Sequence, residues 1–207
     1  MHREFKVVVL FVVITCSLSA LSQTSLAENP QVTVSLYDDA GVPRETLTRA
    51  EQQAAKTFSR VGLNVTWLNC THKNDNHEIA ACNEIGGPIH LALRITANVP
   101  SSISDTAFGV AYLASDGTGQ YGDVFWKRVR ELQANSKVDV AIFLGSVMAH
   151  EMGHLLLGSN AHAISGIMQA HWKDSELRRI DMDTLQFLPE QGKRMRARIV
   201  RSRAGLG

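Results

Sequence analysis

Residues 138–168 read VDVAIFLGSVMAHEMGHLLLGSNAHAISGIM, and Val138 to Leu157 is the most hydrophobic internal stretch of the chain. Val140, Ala141, Ile142, Phe143, Leu144, Val147 and Met148 leave no polar face. Such a stretch predicts a helix buried nearly all round, and Gly158 is placed to end it as a C′ glycine. His150, Glu151 and His154 lie inside it. On a helix, positions four apart differ by about 40° in azimuth and about 6 Å in rise, so the two imidazoles project from one face. Buried polar groups need partners, so these three call for a purpose.

Working outward, the N-terminal half reads as strands around one helix. Gln31–Tyr37 alternates polar and apolar residues, as a half-buried strand does, and Asp38–Pro43 is a turn. Thr46–Arg60 sets Leu47, Ala50, Ala54, Ala55 and Phe58 on one helical face, with Gly62 after it. Asn64–Leu68, Ile89–Ile95 and Phe108–Ala114 are further strands, and Tyr121–Val129 is a fifth running into a short helix. Beyond residue 168, Met195 and Ile199 give a C-terminal helix one apolar stripe. The order predicts an α/β (α+β) layer fold in a single domain over residues 28–207.

The chain has 207 residues, a net charge of +1, 44% hydrophobic and 20% charged residues. That excludes a disordered, collagenous or polytopic membrane protein. No global field draws it to nucleic acid, and the basic tail (Lys193, Arg194, Arg196, Arg198, Arg201, Arg203) lacks aromatic interleaving, so it reads as a solvated helix face. Residues 1–27 read as a cleaved signal peptide: Arg3 and Lys6, the apolar run Val7–Ile14, then Ser25-Leu26-Ala27. The expected location is therefore secreted or periplasmic. Removing Cys16 with that segment leaves Cys70 and Cys82, which bracket a polar loop. In an oxidising compartment the expectation is a disulfide; the alternative is a second zinc site with His72 and His77.

His150-Glu151-Met152-Gly153-His154 has the spacing that lets two imidazoles converge on one tetrahedral ion, with Glu151 next to the water that such an ion activates. The segment that follows carries His162 and then Ser165-Gly166-Ile167-Met168. Together these residues resemble the metzincin zinc endopeptidases, whose pattern is HExxHxxGxxH followed by a methionine turn. The chain departs from it: Gly158 falls one position late, and His162 stands eight residues after His154 where the pattern has six. Asn160 occupies the usual third-ligand position, yet His154 to Met168 spans fourteen residues, as in the matrixin branch.

The resemblance implies a twisted mixed sheet with a backing helix, a long active-site helix and a C-terminal helix. It implies one catalytic Zn²⁺ on His150, His154 and a third ligand, with Glu151 as general base, Gly158 ending the helix and Met168 beneath the site. His162 is favoured over Asn160 as third ligand, because neutral imidazole binds zinc better than a carboxamide oxygen. In that family an edge strand pairs with bound substrate, and Phe108–Leu113, the last clear strand pattern before the helix, is the candidate for it; the alternative is an interior strand of the sheet. His171 and His90 receive no role. The expected activity is that of a secreted zinc endopeptidase, a monomer acting on peptide or protein, with no nucleic-acid partner and no lasting membrane association. The alternative is an exported zinc-binding protein without proteolytic activity.

Overall fold

The computed structural model describes residues 29–70, 82 and 89–205. The expected signal segment 1–27 and most of the loop between Cys70 and Cys82 lie outside the described residues. The elements are β1 (Gln31–Asp38), α1 (Arg44–Ser59), β2 (Asn64–Asn69), β3 (His90–Thr96), β4 (Gly109–Tyr112), β5 (Tyr121–Phe125), α2 (Trp126–Asn135), α3 (Val140–Leu157), α4 (Asp174–Asp181) and α5 (Pro189–Arg203). The strands form one mixed sheet in the order β2-β1-β3-β5-β4. All neighbours pair in parallel except β4, which runs antiparallel to β5 at the edge. The α/β (α+β) expectation and the mixed sheet are therefore observed.

Alternation along the strands builds the core. Val32, Val34 and Leu36 of β1 and Leu91, Leu93 and Ile95 of β3 are buried together with the inner faces of α1 and α3. α3 is long and apolar enough to cross a membrane, but 83% of it is buried inside the molecule. It is the central helix of the core, and this explains its lack of a polar face. Its start is set by Asp139, whose Oδ1 accepts from the Ala141 and Ile142 amides at 2.9 and 3.1 Å. Arg49 of α1 donates to the other oxygen of that carboxylate at 2.8 Å, tying the two helices. At the far end Gly158 adopts φ 63°, the left-handed cap that a glycine takes without strain.

The expected strand running into a short helix over Tyr121–Val129 is observed as β5 and α2, which meet after Phe125. Two expectations need adjustment. The predicted strand Phe108–Ala114 is ordered as a strand only over Gly109–Tyr112. α4 was not anticipated, because it is one short helix that buries only Leu177 and Ile180. In α5 Met195 and Ile199 are buried as expected, but its basic face is not simply solvated. Arg196 donates to the Val61 carbonyl, Arg198 to that of Gly117 at 2.7 Å and Arg203 to that of Gln31 at 3.0 Å. Cys70 and Cys82 are disulfide-bonded, and Tyr37 Oη donates to the Cys82 carbonyl at 3.3 Å.

One ion cluster fastens the end of α1 to the turn after α4. Asp183, at φ 55°, accepts from Lys56 Nζ and Arg60 Nη2 at 2.6 Å and from Gln53 Nε2 at 2.8 Å. Burial alone would raise its carboxyl, but the hydrogen bonds from Arg60, Lys56 and Gln53 outweigh it and hold the group at about 2. A depressed carboxyl stabilises the fold above its unfolded pKa and loses that effect as pH falls through the folded value. Asp183→Asn, which keeps the left-handed backbone accessible, should lower unfolding free energy near pH 7 by about 1 kcal/mol. In urea titrations the gap between variant and wild type should close between about pH 4 and pH 2.

Candidate metal centre

α3 presents His150 and His154 on one face, one turn apart. His150 Nδ1 lies 2.7 Å from the Ile167 carbonyl oxygen and His154 Nδ1 lies 2.8 Å from that of Ser159. A carbonyl oxygen only accepts, so each Nδ1 carries the proton and each neutral ring is left with a lone pair on Nε2. Those two Nε2 atoms are 3.0 Å apart. Two acceptors facing each other repel unless a cation stands between them.

His162 completes the group. Its ring centroid lies 5.4 Å from that of His150 and 4.9 Å from that of His154. One ligand nitrogen from each of the three falls within 4.8 Å of the others. Zinc–nitrogen bonds of about 2.0–2.1 Å put tetrahedral ligand atoms about 3.3 Å apart, so the donor set fits a zinc ion with one position left open. Burial pushes His150 down to about 3, with the charges of His154 and His162 adding to it. Burial also lowers His154 and His162, the latter with help from His171. All three rings are thereby kept in the neutral form that ligates metal. Asn160 lines the same cleft, two residues from His162.

Glu151, the next residue along α3, packs against β4 and lines the same cleft as the three histidines. It is 5% exposed, and in the metal-free protein burial pushes its carboxyl up to about 8. Gly109 makes room for it: a Cβ there would stand 2.7 Å from Glu151 Cγ and Oε1. Met168 is fully buried beneath the helix, against Gly153, where a Cβ would stand 2.6 Å from its sulfur and 2.8 Å from the Phe187 ring. The glycine inside His150–His154 is thus the seat of Met168.

These groups open on a cleft of about 620 Å³. Its walls are residues 106–111 with Ser104, the α3 residues Val147, His150, Glu151 and His154, and 169–172. The expected edge strand does lie at the sheet edge and along this cleft. Two residues given no role in the sequence line it as well: His171, and Trp172, whose ring meets His150 edge-on at 5.5 Å. Their nearness in sequence to Met168 was the available signal. His90 stands elsewhere, buried in the sheet with Nε2 2.7 Å from Ser35 Oγ.

No protein-family model matches the chain, and no curated protein matches it. Solved structures do. One is a zinc-dependent peptidase from Methanocorpusculum labreanum, 15% identical with a TM-score of 0.54, covering 78% of this chain and 99% of that one. Another is archaemetzincin from Methanopyrus kandleri, 15% identical with a TM-score of 0.51, covering 83% and 97%. The chain shares their fold. At that identity the likeness is one of architecture, and the chemistry has to be argued from the side chains just described.

Glu151 supplies a pH test of the metal-free protein. A carboxyl raised by folding stabilises fully below its unfolded pKa, and the effect is lost as pH rises through the folded value. With zinc chelated, the melting temperature should therefore fall as pH rises from about 5 to about 8. Glu151→Gln should flatten that decline.

Proposed function

We propose that the protein is an exported zinc-dependent endopeptidase. The observation that carries this reading is the pairing of three convergent imidazoles with a buried carboxylate on the next residue of the same helix, at the floor of a cleft. His150, His154 and His162 hold the metal, and Met168 supports the helix from below. A zinc ion bound there supplies a Lewis acid that polarises a carbonyl and makes water acidic near neutral pH.

The chain's own groups do the rest. Glu151 takes the proton of the attacking water on its carboxylate and returns it to the leaving amide nitrogen. The free edge of β4 offers backbone groups to an extended peptide, antiparallel to it, while the cleft takes the side chains. The signal segment and the Cys70–Cys82 bond suit an extracytoplasmic location, and the protein works there as a monomer free of the membrane. A purely structural zinc site would close its fourth position and need no adjoining base. His150, His154, His162 and Glu151 all line one cleft, which favours hydrolysis over the non-catalytic reading.

Metal analysis and quenched-peptide hydrolysis on four purified proteins test this. Wild type should carry one zinc per chain and cleave peptides. Glu151→Gln should keep the zinc and lose about 10²–10⁴-fold in kcat. His162→Ala should lose zinc on dialysis while Asn160→Ala keeps it; the reverse pair of results would make Asn160 the ligand. Zinc without hydrolysis in the wild type would favour the binding protein.

A further inference from the structure

The cleft wall facing Glu151 is a weak piece of chain. Residues 97–108 contain no helix or strand, and β4 that continues them has only four residues at the sheet edge. A short edge strand after an irregular segment has little rigidity of its own. The structure nevertheless fastens it at both ends with charged side chains that lie outside the cleft.

At the leading end stands Arg128 of α2, whose side chain is 14% exposed. Its Nη1 donates to the carbonyls of Ser104 and Ala107, at 2.5 Å each. Its guanidinium lies over the Phe125 ring at 5.5 Å, and the Phe125 amide in turn donates to the Phe108 carbonyl at 2.8 Å. At the trailing end stands Asp123 of β5, 4% exposed and paired in register with Val110. Its carboxylate accepts from Tyr112 Oη at 2.8 Å and from Arg94 Nε and Nη2 at 3.0 and 3.1 Å. Between the two fastenings lies Gly109, packed on Glu151.

We propose that Arg128 and Asp123, the latter through Tyr112, are positioning residues that hold the substrate-binding edge of the cleft at a fixed distance from Glu151. The inference rests on the peptidase reading. Each grips main-chain or strand-end atoms of the wall, so their removal frees the wall without touching the metal ligands or Glu151. An extended peptide paired with β4 then loses its template while the reacting groups stay where they are. Misplacement by about 1 Å is enough to weaken a positioned contact strongly.

Three variants test it: Arg128→Gln, Arg128→Lys and Tyr112→Phe, the last deleting only a hydroxyl from a side chain that is half exposed. KM and kcat are read on a peptide that the wild type cleaves, with zinc content alongside. The dissociation constant of the same peptide is read with each change placed in the Glu151→Gln protein. The expected result is a KM and a dissociation constant raised about tenfold in Arg128→Gln and about threefold or more in Tyr112→Phe. Zinc should stay at one per chain and kcat within about threefold, and Arg128→Lys should recover part of the lost binding. Unchanged KM and peptide binding beside a lowered melting temperature would overturn the inference and leave the peptidase reading intact. A zinc-loaded wild type that cleaves no peptide would overturn both.

Discussion

The arrangement depends on two histidine Nδ1–H groups that are committed to backbone carbonyls. Once Ile167 and Ser159 take those protons, the imidazoles of His150 and His154 turn their remaining lone pairs on each other across 3.0 Å inside the protein. Neither ring can relieve this by protonation without placing a charge in the core, and burial drives both away from that form. The natural relief is a cation. The hydrogen bonds also tie the segment after the helix to the site, because both carbonyls come from the stretch that carries His162 and Met168. His162 is thus delivered by the same loop that orients His150 and His154.

The rest of the fold keeps this loop and its helix in place. α3 runs through the centre of the core with α1 beside it and the sheet beneath, so its histidines are held by packing on all sides except the cleft. Glu151 and Met168 each need space where a side chain would ordinarily stand, and Gly109 and Gly153 provide it. The cost is a wall of the cleft made from a glycine-bearing edge strand of four residues. Charged side chains of α2, β3 and β5 hold that strand from outside, and none of them is among the three convergent histidines.

Much of this was readable from local pattern. The apolar run Val138–Leu157 with Gly158 behind it marks α3, and the spacing of His150, Glu151 and His154 places the site upon it. Alternation marks β1 and β3 because Val32, Val34 and Leu36 and then Leu91, Leu93 and Ile95 all turn into the apolar core. α4 escaped because two buried residues in eight are too few to show a helical period. The internal use of Arg196, Arg198 and Arg203 escaped because their acceptors are carbonyls more than eighty residues away in sequence. The roles of Arg128 and Asp123 depend on a meeting of α2, β4 and β5 that no spacing encodes. His162 against Asn160 was a choice between ligand chemistries, and the loop geometry brings the imidazole to the pair.

X-ray absorption at the zinc edge on the purified chain tests the central claim most directly. The arrangement requires one zinc per chain with three imidazole rings in the outer scattering and a fourth, light ligand at about 2.0–2.2 Å. A spectrum with only two imidazoles, with sulfur scattering, or with no zinc retained at micromolar concentration would contradict it.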